Sequence, residues 1–326
     1  MQPVKLYYSS FANFGDALNA ALFARLSGVR VVHCSPHEGD VMGVGSIFYG
    51  GGFFWGSRGS LFSKNRARAL YRRWKNIFRG PMNVWGSGIL FDLPVPEDVV
   101  VYRPMCIHAI RGRETERVLK RVGILSRDAH PALGDPGLFY PDLVEDLDGC
   151  RKEYELAIVP HYTDYKLGLE IGDTLKKRGV SVRVVDVMQP DPQNVIREIA
   201  SARKALSASL HGLIVADSMG IPNQHLLLSD YEVDRHYGAG ACLLKFRDYY
   251  SAYGRVDHAP ITVDALLENS AGVIDAIGSN CISRESVLRV KAALLAAFPE
   301  KYRGKAFPAF CQKALRRGGN DNGLNE

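Results

Sequence analysis

Short apolar runs alternate with amphipathic stretches along most of the chain. Val4–Tyr8, Val29–His33 and Val41–Phe48 read as strands, and Ala17–Leu26 between the first two reads as a helix. Gly15 permits a tight strand-to-helix turn there, and Asp16 stands where a capping side chain is expected. Met82–Trp85, Val99–Tyr102 and Met105–Ile110 are further strands. A helix opens at Arg111–Thr115 and runs to about Val122, and Leu133–Gly137 reads as a turn. Asp142–Glu153 is acidic, polar and irregular, which marks a linker. The alternation then restarts. Strands are expected at Leu156–Pro160, Ser181–Val187, Ala205–Ser209 and Gln224–Leu228. Helices are expected at Lys166–Arg178, Pro192–Ala202, Leu213–Met219 and Val263–Ile277, the last with Thr262 as its cap.

Strands alternating with helices of roughly 10–15 residues predict parallel βαβ units. The pattern occurs once before the linker and once after it. The expected architecture is therefore α/β, with two Rossmann-like parallel-sheet domains, residues 1–145 and 146–326, facing each other across a cleft. A last helix, about Arg284–Phe298, is expected to pack across both.

Composition changes this picture little. A chain of 326 residues with 46% hydrophobic and 23% charged residues suits a soluble two-domain protein and excludes a disordered or collagen-like one. No apolar run approaches the ~18 residues needed to span a bilayer. The first ten residues read as a strand, not a signal peptide. Six scattered cysteines without a CxxC pair fit a reducing cytoplasm, with neither a zinc site nor a disulfide framework. The net charge of +6 suggests an anionic substrate or surface and by itself does not separate phosphate ligands, lipid headgroups and nucleic acid, though no nucleic-acid partner is expected.

Candidate chemistry gathers at the predicted carboxyl ends of strands, where open α/β sheets bind ligands. Ser207, Ser209, His211 and Gly212 stand where one strand gives way to a helix. Imidazole titrates near neutral pH, and the first N–H groups of the helix favour a phosphate. The competing reading is a core histidine with its bonds satisfied. Arg111 and Arg113 flank a glycine after another strand. Arginine suits bidentate capture of carboxylate or phosphate, and the bland alternative is a pair of solvated side chains. His161 ends a strand in the second half, either as a substrate ligand or as a loop residue.

Gly43-Val44-Gly45-Ser46 resembles the start of a dinucleotide fingerprint but lacks its third glycine, and no Walker-type loop is present. Lys64–Arg79 holds seven Lys or Arg and no acid, with Leu70, Tyr71, Trp74 and Phe78 on one helical face. That face either packs on the core or docks on anionic lipid.

Taken together, the motifs resemble the polysaccharide pyruvyl transferases, in particular the bacterial exopolysaccharide branch. The matching stretches are Asn13-Phe14-Gly15-Asp16, Val44-Gly45-Ser46, Trp85-Gly86-Ser87-Gly88, Arg111-Gly112 with Thr115, and Gly134-Asp135-Pro136. They continue through Val159-Pro160-His161, Ser209-Leu210-His211-Gly212, Gly220-Ile221-Pro222 and Lys245–Tyr250, so the resemblance covers about residues 13–251. It implies a GT-B-like fold with an acceptor-side first domain and a donor-side second domain. It also implies transfer of a pyruvyl group from phosphoenolpyruvate to sugar hydroxyls of an exopolysaccharide or its lipid-linked precursor. The expected product is a cyclic ketal.

Under this resemblance Arg111 clamps the donor and His211 acts as general acid or base. Substrate contacts are expected from Asn13, Gly15, Asp16, Gly45, Ser46, Arg113, His161, Ser207, Ser209, Gly212, Lys245 and Asp248. Where the family has an arginine in an R-x-H element, this chain has Ser209. Lys245 and Arg113 are the candidates for the missing cation. Neither a metal nor a cofactor beyond the donor is required by this route. The expected location is cytoplasmic, with residues 64–79 offering a peripheral contact to the inner face of the membrane. The other readings are a GT-B glycosyltransferase using a nucleotide sugar and a non-catalytic assembly protein.

Overall fold

The computed structural model describes residues 2–10, 13–36, 38–48, 54–56, 71, 74, 76, 78–90, 99–101, 103–147, 149–228, 241–255, 259–279 and 281–316. The first half contributes β1 (Val4–Tyr7), β2 (Val31–His33), β3 (Val41–Met42), β4 (Phe54–Gly56), β5 (Met82–Ser87), β6 (Val99–Val101), β7 (Met105–Ile110) and β8 (Ala132–Leu133). Six of these form one sheet in the order β2-β1-β3-β5-β7-β8, with every pairing parallel. β4 and β6 pair antiparallel as a separate ribbon. The second half contributes β9 (Tyr154–Val159), β10 (Val182–Val184), β11 (Ala202–Ser207), β12 (Asn223–Leu227) and β13 (Ile261–Thr262). These form a second all-parallel sheet in the order β10-β9-β11-β12-β13. The two Rossmann-like sheets expected from the alternation are present.

Several boundaries differ from the pattern, each for a local reason. Val41–Phe48 was expected to be one strand, but only Val41–Met42 joins the sheet. The buried Asn19 side chain takes over the backbone of Val44, accepting from its N–H at 2.6 Å and donating to its carbonyl at 3.3 Å. A side chain that satisfies both backbone groups ends the ladder. Helix α1 (Phe14–Ser27) begins earlier than expected, because Asn13 rather than Asp16 is the cap and accepts from the Asp16 N–H at 3.1 Å. The turn expected at Leu133–Gly137 leads into a 3₁₀ helix, Pro136–Leu143, capped by Asp135. Val263–Ile277 is two helices, broken at Asn269, whose side chain caps the second through the Gly272 N–H.

Helices α2 (Arg113–Arg121), α3 (Tyr165–Lys177), α4 (Pro192–Ala200) and α5 (Leu210–Ser218) fall where the sequence places helices. α6 (Ala241–Ser251) carries the Lys245–Tyr250 motif, a stretch where the sequence pattern predicts no element. Most of Lys64–Arg79 lies outside the described residues. Of those described, Tyr71, Trp74 and Phe78 are exposed, so the core-packing reading does not hold for these three. Among the described residues, no helix is long and apolar enough to cross a membrane.

The largest of three buried clusters among the described residues is shared by the two halves. A single buried cluster joins Leu6, Phe14, Leu18 and Trp85 of the first half to Val159, Val187, Leu213 and Phe246 of the second. α9 (Arg284–Ala296, following the pair Val263–Glu268 and Ser270–Ala276) and α10 (Phe307–Arg316) return to the first half. There the Trp85 indole donates to the Leu294 carbonyl at 2.9 Å. Beside it Lys291 and Asp142, both buried, form an ion pair at 3.0 Å. Removing one member of such a pair leaves an unpaired buried charge, whereas removing both does not.

Lys291→Met is therefore expected to cost about 3–5 kcal/mol of stability. The double variant Lys291→Met with Asp142→Leu is expected to recover most of it. Urea titration of the three proteins checks this, and equal losses for single and double variants would contradict it.

Candidate active site

Each sheet has a point where the chain reverses its direction of strand addition. In the first sheet it lies between β1 and β3, and in the second between β9 and β11. Ligands of open α/β sheets bind outside the strand carboxyl ends at such points. Here both points open on the same cleft, of about 560 Å³. Tyr7 to Ser10 line it after β1, Gly45 and Ser46 after β3, His161 and Tyr162 after β9, and Ser209 to His211 after β11.

Arg111 enters at the end of β7 and is almost fully buried. Its Nε donates to Asp248 Oδ2 at 3.0 Å, its Nη1 to Ser46 Oγ at 2.6 Å and its Nη2 to the Ile89 carbonyl at 2.5 Å. Three of the five guanidinium N–H groups are thus committed, and two are left for a ligand. A Cβ at Gly88 would overlap the guanidinium, so only glycine leaves room for it. Asp248 is itself wholly buried and binds Thr115 through both the N–H and the hydroxyl, at 2.8 and 2.6 Å.

His211 sits in the first turn of α5 with its Nε2 buried and without a hydrogen-bond partner. Its ring lies against Gly15, where a Cβ would overlap it, and near Tyr140, with ring centroids 5.9 Å apart. Burial, then the Arg111 guanidinium and Lys245, push its pKa down to about 3, so it is a neutral imidazole at pH 7. His161 is lowered to about 4 by burial and Lys245. Asp16 moves the other way. Burial lifts it to about 6, against hydrogen bonds from Asn13 and Ser9. The cleft therefore holds a neutral base beside two cations, and a carboxyl group poised near neutrality.

Of the residues singled out in the sequence, Asn13, Asp16, Gly45, Ser46, Arg111, His161, Ser209, His211 and Lys245 line this one cleft. Five others do not line it. Gly15 lies behind His211, and its carbonyl accepts from the Tyr140 hydroxyl at 2.7 Å. Ser207 is buried and its Oγ binds the Ser209 backbone, 2.8 Å from the carbonyl and 3.1 Å from the nitrogen. Gly212 packs on Ser207 so closely that a Cβ would overlap its hydroxyl. Asp248 positions Arg111 from behind. Arg113 is exposed on α2, which leaves Lys245 as the second cation of the cleft among the described residues. Tyr7, Tyr8 and His33 also line the cleft, though their residue types do not announce it in the sequence. All three stand at the carboxyl ends of predicted strands, a position that by itself does not separate a core aromatic from a ligand contact. Among the described residues, no group of three His, Cys, Asp or Glu gathers as a metal centre would.

Fold and site together define an α/β protein whose two Rossmann-like sheets share one cleft, cationic at one end. Two relatives share this sequence at a distance. Over 249 residues, 76% of this chain and 73% of the relative, it is 28% identical to an uncharacterized protein of Acanthamoeba polyphaga mimivirus. Over 226 residues it is 29% identical to the succinoglycan biosynthesis protein ExoV of Rhizobium meliloti (strain 1021), covering 67% of this chain and 58% of that protein. No protein-family model matches the chain.

The depressed histidine has a thermodynamic consequence. Between about pH 3 and 6.5 the unfolded chain binds a proton at His211 that the folded one does not. The stabilisation is thus complete above pH 6.5 and is lost as the pH falls toward 3. From pH 7 to pH 5 the wild type is expected to lose about 2 kcal/mol more stability than His211→Asn. Urea titrations at the two pH values check this, and parallel losses would show that His211 is not held neutral.

Proposed function

We propose that the chain transfers a pyruvyl group from phosphoenolpyruvate to two hydroxyls of a sugar in an exopolysaccharide or its lipid-linked precursor. The observation that carries this reading is the convergence of Arg111, Lys245 and His211 at the end of one cleft. The similarity to a succinoglycan biosynthesis protein supports a role in polysaccharide biosynthesis.

Phosphoenolpyruvate carries a carboxylate and a phosphate. The two remaining N–H groups of Arg111 suit one of these anions, and Lys245 with the N–H groups at the start of α5 suits the other. Ser209, at the cap position without a side-chain capping bond, adds a neutral donor where the resembling family has an arginine. Binding two anionic groups offsets the cations that depress His211, so its basicity rises when the donor is in place.

The bond changes then balance. The methylene carbon takes a proton and becomes a methyl group as the first sugar hydroxyl attacks the central carbon and gives its own proton to neutral His211, which then releases it. The second hydroxyl closes the ring as the carbon–oxygen bond to phosphate breaks. One hydroxyl proton ends on the methyl group and the other on the phosphate, so none is consumed overall.

Incubation with labelled phosphoenolpyruvate and a lipid-linked oligosaccharide extract is expected to release phosphate only when acceptor is present. His211→Ala should lower the rate by at least about a hundredfold, the usual contribution of a positioned acid or base. Nucleoside diphosphate released from a sugar nucleotide would instead support a glycosyltransferase. No reaction with either donor would support an assembly protein.

The reading includes a peripheral position on the inner face of the membrane. Exposed Tyr71, Trp74 and Phe78 stand within the basic stretch 64–79, which suits anionic lipid. Arg72→Glu with Arg73→Glu is expected to abolish co-sedimentation with phosphatidylglycerol-containing liposomes at low salt. Unchanged sedimentation would remove this part of the reading.

A further inference from the structure

The cleft is not uniform. Its described Lys and Arg residues are Arg111 and Lys245, and both act electrostatically on His211. The opposite end is built differently. Tyr7 and Tyr8 close β1, and His33 closes β2. The His33 ring meets the Tyr8 ring edge to face, with centroids 4.7 Å apart, and its Nε2 lies 3.1 Å from the Tyr8 carbonyl oxygen. That contact fixes the pair as one aromatic corner.

The separation follows from the strand order. β1 and β7 are three steps apart in the sheet, and β2 is one step further out. Parallel strands lie about 4.8 Å apart, so the backbones at the aromatic corner and at Arg111 are roughly 14 Å apart along the sheet edge, while the Arg111 guanidinium reaches back across it to Ser46 after β3. Asp16 stands between them. Its charge is felt by the phenols of Tyr7 and Tyr8 on one side, and its Oδ1 lies 3.6 Å from where a Gly45 Cβ would sit on the other.

Among the described residues that line it, this corner has aromatic faces and neither Lys nor Arg, and Ser9, Ser10 and Asn13 rim it, so it suits phosphate less than the Arg111 end does. It has the right surfaces for a pyranose ring. Such a ring presents a face of weakly positive C–H groups to an aromatic π-cloud and hydroxyls to the surrounding polar side chains. We propose that the Tyr7–Tyr8–His33 corner is a separate sugar-binding subsite, which stacks a pyranose ring and directs its hydroxyls past Asp16 toward the cationic end. The inference rests on the proposed function for the identity of what binds at the cationic end. The subsite itself rests on the aromatic corner alone.

The test uses the full chain with methyl β-D-glucopyranoside and methyl β-D-galactopyranoside as probes, followed by saturation-transfer NMR. At least one glycoside is expected to bind without any donor present and to stay bound when phosphoenolpyruvate is added. Tyr8→Ala should weaken binding about tenfold, a typical worth for one aromatic contact, while Tyr8→Phe keeps it. His33→Ala, an exposed position, serves if Tyr8→Ala does not fold. The proposal is overturned if neither glycoside binds the wild type, if the alanine variants bind as the wild type does, or if phosphoenolpyruvate displaces the sugar. Calorimetric titration of phosphoenolpyruvate on the same protein separates the two readings. Failure of the donor to bind while glycoside binding persists sinks the proposed function and leaves the subsite standing.

Discussion

The structure depends most on the ion pair between Arg111 and Asp248. A buried guanidinium is tolerable only when its charge is matched and its donors are used. Asp248 supplies the charge, from a helix in the opposite half of the chain. Burial pushes the Asp248 carboxyl up, and Arg111 together with the Thr115 bonds pulls it back. The contact is tight beyond the pair itself. Gly112 packs on the Asp248 backbone where a Cβ would overlap the carbonyl, and the Arg113 N–H donates to Ser251 Oγ at 2.7 Å. One interaction therefore does two jobs. It ties α6 to α2, and it aims an otherwise costly cation at the cleft.

From that cation the character of the cleft follows. Burial first, and then Arg111 and Lys245, hold His211 neutral, which makes the imidazole a base rather than an acid. Asp16, farther from the cations and buried, is lifted instead. The same cleft thus pushes a histidine down and a carboxyl up, so that their charge states diverge from solution behaviour in opposite senses. Such divergence is common at sites that move protons.

The fold was largely legible because strand and helix periods differ, and each half repeats the alternation. What failed were short irregular pieces decided by single side chains. Asn19 ended a strand from 25 residues away, and Asn269 split a helix. Neither effect has a periodic signature. The lining of the cleft was legible where a residue type announced chemistry, as at Arg111, His211 and Asp16. It was not legible for Tyr7, Tyr8 and His33, because an aromatic residue at a strand end looks the same whether it fills a core or faces a ligand. Asp248 and Gly212 look like ligand contacts in the sequence because polarity and glycine both mark sites. Distance along the chain hid that Asp248 serves Arg111 and Gly212 serves Ser207.

The return of α9 and α10 to the first sheet bears on how the protein is made. Trp85 and Phe298 meet at 5.0 Å between ring centroids, and Phe23 completes the cluster from α1. On a ribosome the first sheet emerges long before residues 284–316 that cover this face. The first half must therefore wait with an apolar surface open while the second is synthesised. Domains usually fold as units, the N-terminal one first. In this chain the apolar face around Trp85 is completed only by residues 284–316, which are made after both sheets.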